Sequence, residues 1–236
     1  MTKAGKRIRK FRDQVPTGIS PINDAIKSVV EAGKSTKFDQ TIDVAIVLNI
    51  DIKKDNIRGM CDLPHGTGKT IKLAVFAEGA QAEQAKKAGA DFVSEDIGVD
   101  ELIAKIRDGE VNVDLCIATP QIMAKLGKAN AGKVLGPKGL MPNPKLGTVT
   151  EDVAKAVDKA KKGQVEFRNE KAGIVHAGIG KASFSSAQIK ENLEALVNAI
   201  QQARPSGIKG AYIRRIYIGS TMGPSIEFDV NELQAA

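Results

Sequence analysis

The chain has 236 residues, room for one large domain or two modest ones, and its 42% hydrophobic and 27% charged residues are ordinary for a folded protein. No run approaches the roughly 18 apolar residues of a membrane helix, and the first residues form no apolar signal region, so the sequence predicts a soluble cytoplasmic protein with no membrane partner. The net charge of +7 is unevenly spread: residues 1–12 hold six bases and no acid, 13–114 hold 12 bases against 18 acids, and 115–150 hold five lysines and no acid.

In chain order, Ser20-Pro21 gives a helix an N-cap and a proline at its first position. Ala25, Ile26, Val29 and Val30 form the apolar stripe of that helix, and Gly33 ends it. Thr41 to Ile50 alternates strictly, with Ile42, Val44, Ile46, Leu48 and Ile50 on one face, which predicts a half-buried strand. A loop rich in Gly, Pro, Asp and Asn follows, from Lys53 to Lys69. Leu73 to Phe76 is a short apolar run, Ala80 to Ala88 a helix closed by Gly89, and Phe92-Val93 a short strand. Val99 to Arg107 is helical, and Val113 to Ala118 is a second apolar run ending at Thr119-Pro120.

Residues Val134 to Val149 carry three prolines, three glycines and lysine as their one charged type, which excludes a helix or central strand. Such a stretch predicts an ordered functional or hinge loop. Thr150 caps a helix over Glu151 to Lys161. Gln164 to Arg168 and Gly173 to Ala177 read as a hairpin around Asn169 to Ala172. Ser185 or Ser186 starts the longest helix, to about Gln202, with Ile189, Leu193, Leu196, Val197 and Ile200 as its apolar face. Tyr212 to Ile218 and Ser225 to Phe228 are antiparallel strands joined by Gly-Ser-Thr-Met-Gly-Pro.

The middle of the chain alternates short apolar strands with helices, as parallel strands with crossover helices do. The two ends have a different rhythm. The predicted fold is therefore α/β and α+β: a discontinuous split-β-α-β domain from residues 1–68 and 159–236, interrupted by a Rossmann-like α/β domain at 69–158. Two adjacent connections, Asn56–Thr70 and Thr148–Lys161, make a hinge.

The motifs for chemistry are thin. His65-Gly66-Thr67-Gly68-Lys69-Thr70 imitates a nucleotide phosphate loop, but Leu63 stands where the first glycine belongs, and an apolar strand follows where a helix should open. Gly173 to Gly180 contains Gly-x-Gly without completing a dinucleotide fingerprint. Neither His65 nor His176 has a ligand or base partner at helical spacing, and no serine sits in a nucleophile elbow. Cys61 and Cys116 stand 55 positions apart, as buried thiols rather than zinc ligands or a disulfide. The sequence thus predicts no catalytic residues, no metal and no cofactor.

Binding chemistry is better represented. Basic tracts around an acidic middle fit a polyanion, although a solvated tail explains residues 1–12 equally well. With 4% aromatic residues and no Trp, the composition argues against a single-strand binder built on stacked bases and favours a structured RNA, read by shape, backbone and 2′-hydroxyls, as the partner. Lys37-Phe38-Asp39-Gln40-Thr41 enters the first strand with a cation, an aromatic and hydrogen-bonding groups, although Phe38 fits a core position equally well. Thr221-Met222-Gly223-Pro224-Ser225 is a tight polar turn that faces the same surface if the two strands are neighbours.

These segments, with Gly5-Lys6-Arg7, Leu63 to Lys69, Val134 to Val149 and Gly163 to Arg168, occur in the order in which they closely resemble the ribosomal protein L-one family. The resemblance implies a split first domain with an open-faced sheet and an inserted second domain. As partners it implies stalk helices of large-subunit rRNA, deacylated tRNA at the exit site, and the mRNA of the protein's own operon, whose translation such proteins repress. The RNA surface it implies comprises Lys37, Phe38, Thr41, Thr221, Met222 and Gly223, with Arg168 and His176 on the same domain. Secondary contacts fall to Lys138 and Lys145, and the free protein is expected to be a cytoplasmic monomer that joins the ribosome. A nucleotide-dependent enzyme using Lys69 and an unspecific basic RNA chaperone using residues 1–12 are the rival functions.

Overall fold

The computed structural model describes residues 5, 8, 9, 11, 18–51, 55–205, 207, 208 and 210–234, so most of the basic arm at 1–12 lies outside the described residues. The chain divides into two compact units, Met1–Gly68 with Gln164–Ala236, and Lys69–Gly163. The first stretch contains α1 (Ile22–Lys34), β1 (Thr41–Leu48) and β2 (Arg58–Asp62). The second unit contains β3 (Leu73–Phe76), α2 (Ala80–Lys87), β4 (Phe92–Val93), α3 (Ser94–Ile97) and α4 (Val99–Asp108). It continues with β5 (Leu115–Ala118), α5 (Pro120–Lys128), α6 (Ala131–Leu135), a 3-10 turn (Pro144–Leu146) and α7 (Val153–Gly163). The chain then returns to the first unit with β6 (Gln164–Arg168), β7 (Ile174–Lys181), α8 (Ser186–Gln202), β8 (Ile213–Ser220), β9 (Ser225–Phe228) and α9 (Asn231–Gln234).

The first unit is built on an antiparallel sheet of order β7-β1-β8-β9. Strand period two sends Ile42, Val44, Ile46 and Leu48 inward, where all four are buried. They pack with Val175, Ala177 and Ile179 of β7, Ile216 and Ile218 of β8, and the stripes of α1 and α8. Each buried Val, Ile or Leu side chain among them contributes roughly 1.5–3 kcal/mol by leaving water. The opposite face carries Thr41, Asp43, Ala45 and Val47 of β1, all exposed or half-buried. A capping box starts α8: the Ser185 hydroxyl accepts from the Gln188 N–H at 3.3 Å, and Gln188 Oε1 accepts from the Ser185 N–H at 2.9 Å.

The second unit has a parallel sheet of order β4-β3-β5. All four residues of β3 are buried, because helices cover both faces. Ala74 and Phe76 face α4, α5 and α6 through Leu102, Ile106, Ile122, Leu126 and Leu135. Leu73 and Val75 face α2 and α7 through Ala82, Ala85, Val153, Val157 and Ala160.

Several local expectations change. Ser20 does not cap α1: its hydroxyl is buried without a partner, and the Ile22 N–H is bonded instead by Glu232 Oε2 at 2.9 Å. The stretch Lys53 to Lys69 contains β2, which the sequence hides because its partner β6 lies about a hundred residues away. Gly59 of β2 sits under the Phe167 ring, where an added Cβ would come within 2.5 Å. Gln164–Arg168 and the following strand are not a hairpin, because β6 pairs with β2 and β7 with β1. They share one isolated bridge, Asn169 to Val175, and the Asn169 side chain is spent on the Ile57 N–H at 2.7 Å.

In the second unit, α5 and α6 fill a stretch for which the sequence predicted no helix, with Pro120 at the first position of α5. The proline-rich loop begins two residues later than its composition suggests, since Val134 and Leu135 finish α6. Thr148 to Thr150 join β5 through a parallel bridge at Val149, so α7 starts at Val153 rather than Glu151. A boundary between 158 and 159 would cut α7, whose Val153, Val157 and Ala160 all pack in the second unit.

Candidate nucleic-acid interface

Three separate segments meet at one end of the four-stranded sheet: residues 36–41 before and at the start of β1, 181–183 after β7, and 220–223 between β8 and β9. Gln40 is in phase with Ile42 and Val44, so its side chain points inward and is fully buried. A buried amide must find partners, and this one does. Gln40 Nε2 donates to the Thr36 hydroxyl at 2.7 Å, and Oε1 accepts from the Met222 N–H at 2.8 Å. Its carbonyl accepts from the Ala182 N–H at 2.8 Å. The Thr36 hydroxyl lies 3.0 Å from the Phe38 carbonyl, which ties the intervening turn to the same amide.

Thr41 and Thr221 form the polar part of the surface. The Thr41 carbonyl accepts from both the N–H and the hydroxyl of Thr221, at 3.0 and 3.1 Å. Lys181 Nζ donates to the Thr41 hydroxyl at 2.8 Å. The Thr41 hydroxyl therefore retains its proton for an incoming acceptor, and the Thr221 hydroxyl retains lone pairs for an incoming donor. Asp39 anchors the 181–183 segment, accepting from the Ser183 N–H at 3.0 Å and its hydroxyl at 2.7 Å.

The apolar part is unusual. Among the described residues the large exposed hydrophobics are Ile19, Phe38 at 53% and Met222 at 51%, so two of three stand on this surface. Phe38 is consequently no core residue. Beside it Lys37 is exposed. An apolar pair rimmed by polar groups marks a contact site more often than a defect.

Gly223 closes the Ser220–Gly223 turn, its N–H donating to the Ser220 carbonyl at 2.8 Å. A Cβ on Gly223 would lie 2.2 Å from Ser220 Oγ and 3.6 Å from Ala32 Cβ, so its side-chain direction is inward. Glycine is required here by the protein's own hydroxyl, which is buried without a hydrogen-bond partner.

The remaining sequence-predicted residues are placed differently. His176 is exposed on β7, level with Ala45, with Nε2 3.6 Å from Glu170 Oε1. Four positions along β1 separate that row from Thr41, about 13 Å. Arg168 is exposed at the end of β6, on the two-stranded sheet rather than the four-stranded one. Lys138 and Lys145 belong to the other unit. Lys138 Nζ donates to the Ile106 carbonyl in the last turn of α4, a structural task, whereas Lys145 is exposed. Sequence inspection missed Gln40 as the organiser, although a polar residue in the inward phase just before Ile42 was its signal. Lys181 and Asp39's partner Ser183 gave no local signal.

The rival chemistry does not fit. The loop 63–68 is held by Asn192, fully buried in α8, whose Oδ1 accepts from the His65 N–H at 3.0 Å. Asn192 Nδ2 donates to the carbonyls of Gly66 and Ile179 at 2.9 and 2.8 Å. The His65 and Gly66 amides are committed within the protein, the loop runs toward a strand rather than a helix, and Lys69 is paired with Asp114. In the second unit, the Gly79 N–H before α2 already faces Glu95 Oε1 at 3.2 Å, which disfavours a phosphate. Burial and the neighbouring Asp62 carboxylate push the Cys61 thiol up to about 11, and burial pushes Cys116 up to about 12, so both thiols are inert at neutral pH. Among the described residues no group of three potential metal ligands gathers, and no helix is long and apolar enough to cross a membrane.

Residues 29–224 match the family described as ribosomal protein L1p/L10e. That span includes both halves of the surface, Lys37 to Thr41 and Thr221 to Gly223. The match runs through both units and covers most of the 236 residues, so the chain belongs to the ribosomal protein L1p/L10e family, structural constituents of the large ribosomal subunit.

Proposed function

We propose that the first unit binds the stalk helices of large-subunit rRNA through the surface made by Lys37, Phe38, Thr41, Thr221, Met222 and Gly223. In this reading the chain is a split-β-α-β domain with a Rossmann-like insertion, and it works by recognition rather than chemistry. The observation that carries the proposal is the buried Gln40 amide, which ties the Phe38 turn to the Met222 backbone, so that these two exposed apolar side chains share one edge with the Thr41 and Thr221 hydroxyls. A structured RNA offers a wide, shallow minor groove lined with 2′-hydroxyls that both donate and accept. Thr41 supplies the complementary donor and Thr221 the acceptor, Phe38 and Met222 cover the apolar sugar surface, and Lys37 attracts phosphate. His176 and Arg168 extend the contact along the same unit, and Lys145 adds a secondary contact from the other; Lys138 is the weaker candidate because a helix carbonyl holds it.

On the ribosome such binding would assist release of deacylated tRNA from the exit site. The same surface would recognise a structured site in the mRNA of the protein's own operon and repress its translation. Titration of the purified protein with a stalk-helix rRNA fragment and with an unrelated hairpin of equal length, over a salt series, tests the core of this proposal. The fragment should bind on the order of a thousand-fold more tightly at physiological salt. Equal binding to both RNAs, with the same steep salt dependence, would reduce the function to unspecific basic contact. Operon mRNA should compete with the rRNA fragment, and Met222→Glu should weaken both alike. Loss of one without the other would separate the two roles.

A further inference from the structure

The face of the four-stranded sheet opposite α1 and α8, exposed or half-buried along β1, has a feature that the edge surface does not use. Asp43 stands in its middle, with Gly178 of β7 opposite on one side and Gly219 of β8 on the other. Ser225 continues the same row on β9. The row is thus a low floor carrying one carboxylate, with Asp43 Oδ1 3.3 Å from where a Gly178 Cβ would be. Tyr217 of β8 is diagonal to Asp43, about 7–8 Å away, within reach of an aromatic ring. Arg215 Nη1 lies 3.4 Å from the Tyr217 hydroxyl.

Among the described residues no hydrogen bond reaches the Asp43 carboxylate, although Lys181 and His176 lie close enough to favour its charge. Burial between the flanking strands outweighs them and raises the group above its ordinary value. An acceptor-only side chain in the middle of a nucleic-acid surface repels phosphate, so it selects for hydrogen-bond donors. On the Watson–Crick edge of guanine, N1–H and the N2 amino group are adjacent donors. The corresponding edges of adenine, cytosine and uracil place an acceptor beside each donor, which would confront the carboxylate.

We propose that this face seats one unpaired guanine of the bound RNA, with the Asp43 carboxylate accepting from N1–H and the N2 amino group and Tyr217 providing the ring on which the base stacks. The inference rests on the RNA-binding reading above and adds to it a base-specific contact. The guanine must be in a loop or bulge, since a duplex hides that edge.

The test uses the full chain and the stalk-helix fragment, with each unpaired guanosine replaced singly by inosine, which lacks the N2 amino group. Wild-type protein should lose about ten-fold or more in affinity at one position, the scale of a bidentate base contact. Asp43→Asn should bind the unmodified fragment more weakly and show no further loss with inosine at that position. Tyr217→Leu should weaken the same contact, and Tyr217→Phe should restore it. Asp43→Asn should unfold at the same temperature as wild type or higher, which a merely structural role would not give. If every inosine effect is identical in wild type and Asp43→Asn, the base contact is refuted while the RNA-binding reading stands. If wild type does not distinguish the fragment from an unrelated hairpin, both fail.

Discussion

Replacing Gly223 by alanine tests the organisation of the edge surface most directly. The new Cβ would lie 2.2 Å from Ser220 Oγ, far inside van der Waals contact, while Ser220 Cβ and Ala32 Cβ stand at 3.5 and 3.6 Å, ordinary distances. The clash is therefore with one hydroxyl. Overpacking of this kind costs about 1–3 kcal/mol, and opening the turn to relieve it would add about 1 kcal/mol by loosening the Gly223 N–H bond to the Ser220 carbonyl. Ser220→Ala removes the clashing oxygen, and because that hydroxyl has no partner, its loss should be nearly neutral. The double variant should then recover most of the stability lost by Gly223→Ala, a coupling of about 1–2 kcal/mol. Both tyrosines, Tyr212 and Tyr217, lie in the first unit and the chain has no Trp, so tyrosine fluorescence during urea unfolding reports that unit. Because the added methyl points inward, the double variant should also bind the stalk-helix fragment nearly as wild type does. A fully stable Gly223→Ala, or a double variant no better than it, would refute the steric argument.

Asn192→Leu strands the Gly66 carbonyl, the Ile179 carbonyl and the His65 N–H, so it should cost more than about 2 kcal/mol and make the 63–68 segment a site of limited proteolysis. Phe38→Ala, at an exposed position, should change stability by less than about 0.5 kcal/mol while lowering RNA affinity, measured by the same titrations. An unchanged affinity would remove Phe38 from the interface. The raised thiols give a pH signature: the folded protein keeps its protons on Cys61 and Cys116 where the unfolded chain begins to lose them, above about 9. Stability should therefore fall as pH rises from about 9 toward 11 and 12. At pH 8 iodoacetamide should label neither thiol until the protein is unfolded.

What the sequence conveyed and what it concealed follow from the range of each interaction. The alternation from Ile42 to Ile50 announces a half-buried strand because the pleat repeats every two residues, whatever the strand pairs with. The stripe of α8 and its Ser185–Gln188 box are local in the same sense. By contrast, Arg58–Asp62 has no alternation, and its partner strand Gln164–Arg168, whose Phe167 ring packs over Gly59, lies far along the chain. The cap of α1 likewise comes from Glu232 near the other end of the chain, which no reading of Ser20-Pro21 could supply. The candidate site shows the same division. Lys37 to Thr41 and Thr221 to Gly223 were visible as polar, turn-forming segments, but their union depends on β1 and β8 being neighbours and on one buried amide spanning 182 positions. Gln40 was in plain view, two residues before Ile42 and in the same phase. A polar side chain at an inward position has to be bonded or it destabilises the fold, so the question it poses is what it holds. Here it holds the backbone of Met222, and through it the surface on which the proposed function depends.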